Sequence, residues 1–177
     1  MSVAANRYAK ALIDALYPDR AEAGQEQLRK LNETLNANPD ARKFFENPTV
    51  PTEKRKALLK EIGDALGLSA PIRNFTEILI DRNRLDILEQ IITAYQKDLD
   101  EKLGIVRASI TAAQPLDNAQ RSELVAKLEK MTGKQVQVEI AVDATLLGGV
   151  IARVGSTIYD GSLRQQLKAF KSGIVQE

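Results

Sequence analysis

A chain of 177 residues, 44% hydrophobic and 28% charged, has the composition of an ordinary globular protein and room for one medium domain or two small ones. Its 25 basic and 24 acidic side chains leave a net charge of +1, split evenly between 16 and 17 over residues 1–104 and between 9 and 7 over 105–177. Neither half is a polyanion-binding surface by charge, and the absence of cysteine and histidine excludes disulfides, thiolate metal sites and the commonest general base.

No apolar run reaches the roughly 18–20 residues that span a bilayer, so no direct membrane insertion is expected. The start, "MSVAANRYAK", has neither a long apolar segment nor an Arg-rich leader, and reads as an intracellular, soluble chain without a secretory signal.

From residue 4 to about 103 the apolar spacing is helical. The predicted segments are 4–17, 21–37, 41–46, 53–66, 70–83 and 86–103, separated by "YPD", "NANPD", "NPTVP" and "GLSAP". Ser69, with Pro71 two places on, suits the start of the fifth segment. The sixth puts Leu88, Ile92, Tyr95 and Leu99 on one stripe. Short connections between helices imply an antiparallel bundle.

At Gly104 the period changes to two. Val106, Ala108, Ile110 and Ala112 alternate with Arg107, Ser109 and Thr111 as in a half-buried strand. Asp117 precedes a helical run with Leu124, Leu128 and Met131 on one face, closed by Gly133. Val136, Val138, Ile140 and Val142 define a second strand. The fold class is therefore an N-terminal six-helix bundle, residues 1–104, followed by a small C-terminal α/β domain, residues 105–177.

The glycine-rich stretch "LLGGVIARVGSTIYDGSLRQQL" at 146–167 raises the possibility of a phosphate loop. A P-loop needs glycines after a strand, then Lys and Ser/Thr opening a helix. Here Gly148 and Gly149 precede a strand, and no Gly-Lys-Ser/Thr follows. Gly155 suits the first position of a two-residue hairpin turn, and Asp160-Gly161 turns the chain again. Ser162 with Gln165 forms a capping box for a helix carrying Leu163, Leu167 and Phe170. These residues are structural turns and caps.

Other chemistry is weakly signalled. Asp81, Asp86 and Glu89 crowd a helix junction that also holds Arg82 and Arg84, which reads as a solvated charged turn. Glu139 and Asp143 share a strand with no evident partner to shift their pKa values. Four tyrosines, four phenylalanines and no tryptophan build no stacking platform for bases. No catalytic residue, cofactor or metal is expected.

The first helix carries too much apolar surface. At ~100° per residue, Ala11, Ala4, Ala15, Tyr8, Leu12, Ala5, Leu16, Ala9 and Ile13 fill an arc of roughly 200°, where a surface helix needs about 100°. The fifth segment spreads Ile72, Phe75, Ile78, Leu79 and Ile80 as widely. Either the two helices are central and wrapped by their own chain, or they form an apolar groove for an amphipathic partner helix.

"NRYAKALIDAL" at 6–16, "RNRLDIL" at 82–88 and "LLGGVIARVGSTIYDGSLRQQLKAF" at 146–170 closely resemble the delta subunit of F-type ATP synthases, the family of the oligomycin-sensitivity-conferring protein. The resemblance covers nearly the whole chain and departs at Arg84, where the family often has glycine. It implies a non-catalytic peripheral-stalk, or stator, subunit that ties the catalytic headpiece to the membrane-anchored stalk. It also implies that a groove between the first and fifth helices receives the N-terminal helix of an alpha subunit. Ala4, Tyr8, Ala11, Leu12 and Ala15 would then form one wall, and Ile72, Phe75, Ile78 and Leu79 the other. The C-terminal domain is expected to meet the stalk b subunits, and Leu163, Leu167 and Phe170 either serve that contact or pack on their own sheet. The implied location is the cytoplasmic face of a bacterial plasma membrane, or the stromal face of an organelle. A helical nucleic-acid-binding or regulatory adaptor is the alternative, disfavoured by the neutral charge of both halves; an enzyme would have to rely on carboxylates.

Overall fold

The computed structural model describes residues 2–146, 148–155, 157–163 and 165. Among them are seven α-helices, one 3-10 turn and four strands, and all but one of the helices precede the first strand. The chain divides into two compact units between Leu99 and Asp100.

The first unit holds α1 (Val3–Leu16), α2 (Ala21–Ala37), α3 (Pro39–Glu46), α4 (Thr52–Ala65), α5 (Ala70–Asp81) and most of α6 (Leu88–Leu103). Helix α3 starts at Pro39, two residues before the predicted Ala41, because a proline tolerates the first helical turn, where its missing N–H has no intrahelical partner. Helix α6 starts two residues later than expected, since Leu85–Ile87 form a 3-10 turn. Ser69 stands at the α5 N-cap with Pro71 in the first turn, although its side chain makes no capping bond.

One apolar cluster fills this unit, with Ile13, Leu28, Leu31, Ile72, Leu79, Tyr95 and Leu99 among its buried members. Leu88 is buried with them, while Ile92 is only partly covered. Gly24 in α2 allows close approach: a Cβ there would lie 2.6 Å from Leu16 Cδ1 and 3.5 Å from the Tyr95 hydroxyl oxygen. That hydroxyl donates to the Ala21 carbonyl at 2.9 Å.

Arg84 has φ −123°. The left-handed position is Asn83, at φ 50°, which asparagine tolerates better than most residues.

Gly104, at φ 67°, ends α6, and the second unit then forms a sheet. Its strands are β1 (Ile105–Ala112), β2 (Gln135–Val142), β3 (Val150–Val154) and β4 (Thr157–Asp160), in the order β2-β1-β3-β4. β1 pairs parallel with β2 and antiparallel with β3, which pairs antiparallel with β4. Helix α7 (Asn118–Thr132) makes the crossover from β1 to β2. It opens with a full capping box: Asp117 accepts from the Gln120 N–H at 2.7 Å, and the Asp117 N–H donates to Gln120 Oε1 at 3.1 Å. Gly133, at φ 67°, closes it.

Ala108, Ile110, Leu128, Val136, Ala152 and Val154 form the core of the sheet unit. Met131, on the same face of α7 as Leu124 and Leu128, is 60% exposed near the helix end. Val142 is 53% exposed at the end of edge strand β2, where only one neighbour shields it.

Candidate partner-docking groove

The apolar arc of α1 divides in two. Leu12, Ala5, Leu16, Ala9 and Ile13 lie inside the bundle. On the other half, Ala11 and Ala15 are exposed, and Ala4 and Tyr8 are only partly covered. On α5 the buried set is Ile72, Phe75, Thr76, Leu79 and Ile80, whereas Ile78 is 49% exposed. The surplus apolar surface read from the sequence is therefore not all used by the chain itself.

The two helices meet through aromatic rings. Tyr8 and Phe75 pack edge to face, with centroids 6.4 Å apart and planes at 75°, the arrangement their quadrupoles favour. This pair brings the partly open face of α1 beside Phe75 and exposed Ile78 on α5. Leu12, Ile72 and Leu79, placed on the walls by the sequence reading, are instead buried in the core. The accessible apolar positions are Ala4, Tyr8, Ala11 and Ala15 with Ile78, and Phe75 at the base.

The first turn of α1 has no acidic residue and its last turn no basic one, while exposed Arg7, Lys10 and Asp14 border the alanine edge. Its small alanines let another helix approach closely, and the Tyr8 ring offers apolar area to cover.

The glycine-rich stretch is scaffold. A Cβ on Gly149, at φ 85°, would stand 2.3 Å from the Gly161 carbonyl oxygen, and one on Gly148, at φ 149°, 2.5 Å from Leu163 Cδ1. The Gly161 N–H donates to the Val150 carbonyl at 2.9 Å, and the Leu163 N–H to the Gly148 carbonyl at 3.0 Å. The Asp160 carboxylate accepts from the Ser162 N–H at 2.9 Å, and Ser162 Oγ accepts from the Gln165 N–H at 3.3 Å. Gly155 takes φ 58° in the turn where Val154 pairs with Thr157. These backbone N–H groups are spent on the chain itself. Leu163 is 45% exposed, and Leu167 and Phe170 lie outside the described residues.

No assembled reactive centre stands elsewhere among the described residues. Asp81 forms a surface ion pair with Lys56 at 2.7 Å, and that hydrogen bond raises the lysine's pKa. Asp86 and Glu89 are exposed. Asp143, for which the sequence suggested no partner, accepts from the Thr145 hydroxyl at 2.7 Å and the Thr145 N–H at 2.9 Å, and these bonds lower its pKa. This is an Asx turn. A pocket of about 620 Å³ lies between the β1–α7 connection at Gln114, Pro115 and Leu116 and the Gly148–Gly149 turn, with no titratable side chain among the described residues that line it. No group of three or more metal-ligating side chains occurs among the described residues.

A family model described as ATP synthase delta (OSCP) subunit matches residues 4–174. The chain belongs to that family. It is 40% identical to the ATP synthase subunit delta of Anaeromyxobacter sp. (strain Fw109-5), over 99% of each chain. Against the subunit delta of Geotalea uraniireducens (strain Rf4) it is 38% identical, over 92% of this chain and 91% of the relative. Its fold is that of a chain in the Toxoplasma gondii mitochondrial ATP synthase hexamer, at TM-score 0.66 and 20% identity, covering 99% of this chain and 98% of that one. As a delta subunit the chain is a structural, non-catalytic component of a membrane-associated ATP synthase, with no helix among its described residues long and apolar enough to cross a membrane.

One position was missed by sequence reasoning. Arg55 of α4 is 3% exposed, the one buried charged side chain among the described residues. Its position four residues before buried Leu59, on the inward stripe of α4, was the available signal.

Proposed function

We propose that this delta subunit acts as a stator clamp whose α1–α5 groove receives the N-terminal helix of an alpha subunit. The observation that carries the reading is the division of α1, half core and half uncovered, beside exposed Ile78. The N-terminal helical part, residues 1–104, then belongs to the headpiece, and the α/β part, residues 105–177, engages the stalk b subunits. Peripheral attachment on the cytoplasmic face of the membrane, or its stromal equivalent, follows from those two partners. The six helices α1–α6 serve as the bundle that presents the groove.

The physical task is to resist torque. Rotation of the central shaft pulls on the headpiece, and the outer connection must hold without slipping. A helix seated in an apolar groove resists detachment because its removal exposes apolar area at ~25 cal/mol per Å². Part of that energy offsets the lost freedom of association. No proton, nucleotide or metal chemistry is required of the chain. Neither a nucleic-acid adaptor nor an enzyme is favoured by any feature of the surface.

The test is reconstitution. Membranes stripped of their own delta subunit are expected to regain ATP-driven proton pumping when the wild-type chain is added. The Ala15→Asp variant is expected to need a concentration about two orders of magnitude higher, because docking would desolvate an unpaired carboxylate. Equal restoration by both proteins would remove the groove from the mechanism.

A further inference from the structure

We infer that Arg55 is a positioning residue for the groove: its guanidinium fixes the turn that leaves α5 and thereby holds Ile78 on the groove's rim. The inference rests on the docking role proposed above. The Arg55 side chain, almost wholly buried, joins three segments. Nη1 donates to Asn83 Oδ1 at 2.8 Å and to the Phe45 carbonyl at 3.3 Å, and Nη2 donates to Thr52 Oγ1 at 3.2 Å. Every one of these acceptors is neutral, and Nε has no partner.

A buried cation with no facing carboxylate is a poor stabiliser. Desolvation costs it several kcal/mol, and removing it relieves that cost but leaves the buried Phe45 carbonyl without this donor. What the guanidinium supplies is geometry: a rigid planar fork that fixes several acceptors at once. The acceptor it holds in the α5 exit turn is Asn83, whose left-handed backbone (φ 50°) is one of several available to an asparagine.

The turn is also wired back into the last turn of α5. The Asn83 N–H donates to the Ile80 carbonyl at 3.0 Å, the Arg84 N–H to Leu79 at 2.8 Å, and the Arg82 N–H to Ile78 at 3.1 Å. The Lys56–Asp81 pair ties α4 to α5 one turn away, but at the surface, where such a pair contributes little. Arg55 is thus the buried anchor of the helix end that displays Ile78.

The distinguishing consequence is a loss of rim geometry in a chain that still folds. In the full-length chain, Arg55→Met is expected to unfold cooperatively at a moderately lowered temperature, since relief of a desolvated charge is offset by the donor lost to the Phe45 carbonyl. In the free variant the Ile78 methyl and Asn83 amide NMR signals are expected to shift and broaden. Affinity for a synthetic peptide of the alpha-subunit N-terminus is expected to fall about tenfold, because only part of the population then presents the competent rim. Arg55→Lys, which keeps one donor, is expected to recover part of that loss.

Should Arg55→Met fail to fold, Asn83→Ala removes only the acceptor, and the same signals are read there. Unmoved Ile78 and Asn83 signals in a folded variant would overturn the inference while leaving the groove intact. Wild-type chain that binds no peptide would overturn the groove itself, a result read separately from the free-chain spectra.

Discussion

Tyr95 carries a hydroxyl into the core of the helical unit. The side chain has no exposed surface and its one visible partner is the Ala21 carbonyl. Burial pushes its pKa from 10.0 up to about 12. The fold therefore prefers the neutral phenol. Below pH 10 both folded and unfolded chains keep the proton, and the stabilisation is fully present. Between about pH 10 and 12 the unfolded chain loses the proton while the folded chain retains it, so stability falls by about 1.4 kcal/mol per pH unit. Urea midpoints measured from pH 9 to 12 are expected to drop more steeply for wild type than for Tyr95→Phe. Parallel curves would show that another group governs alkaline unfolding. At neutral pH the Phe variant is expected to be less stable by about 1–2 kcal/mol, since the Ala21 carbonyl loses its donor.

Helix α1 shows what element-level reading can and cannot do. Counting apolar residues around the wheel revealed an arc too wide for one core and marked Ala4, Tyr8, Ala11, Leu12 and Ala15 as its outer edge, of which Leu12 is in fact buried. Burial separates Leu12 and Ile13 from Ala11 and Ala15. On α5 the same reading placed Ile72 and Leu79 on an open wall, although both are fully buried. Where local chemistry is decisive, the sequence was easier to read. Asp117 with Gln120, Gly133 after α7, Gly155 in the hairpin and the Asp160–Ser162 turn are set by capping and by positive φ. Arg55 and Asn83 were harder, since their bond joins residues 28 apart in the chain and helical periodicity carries no such information. The two faces of α1 make the division measurable. Ala11→Asp, on the open half, is expected to shift stability by less than about 0.5 kcal/mol, as surface substitutions do, and Leu12→Asp, on the buried half, to cost more than about 4 kcal/mol. Urea denaturation distinguishes them, and similar losses for both would mean that α1 is wrapped on all sides.

At the scale of the whole molecule, near-neutral charge and the uncovered faces of α1 and α5 fit the docking role proposed above. Membership in the delta family assigns it to an ATP synthase, and the groove supplies the physical means of attachment that we propose. Attachment by burial has an ionic-strength signature. Contacts between exposed charges weaken as salt shortens the screening length from about 10 Å at 0.1 M to about 3 Å at 1 M, whereas buried apolar area is not screened. The most direct measurement is an NMR titration of the full-length chain with a peptide from the N-terminus of its alpha subunit, at low and at high salt. The account predicts saturable shifts centred on Tyr8, Ala11, Ala15, Phe75 and Ile78, with an affinity that changes less than about threefold between 0.1 and 1 M salt. Shifts confined to other surfaces, or binding abolished by salt, would contradict it.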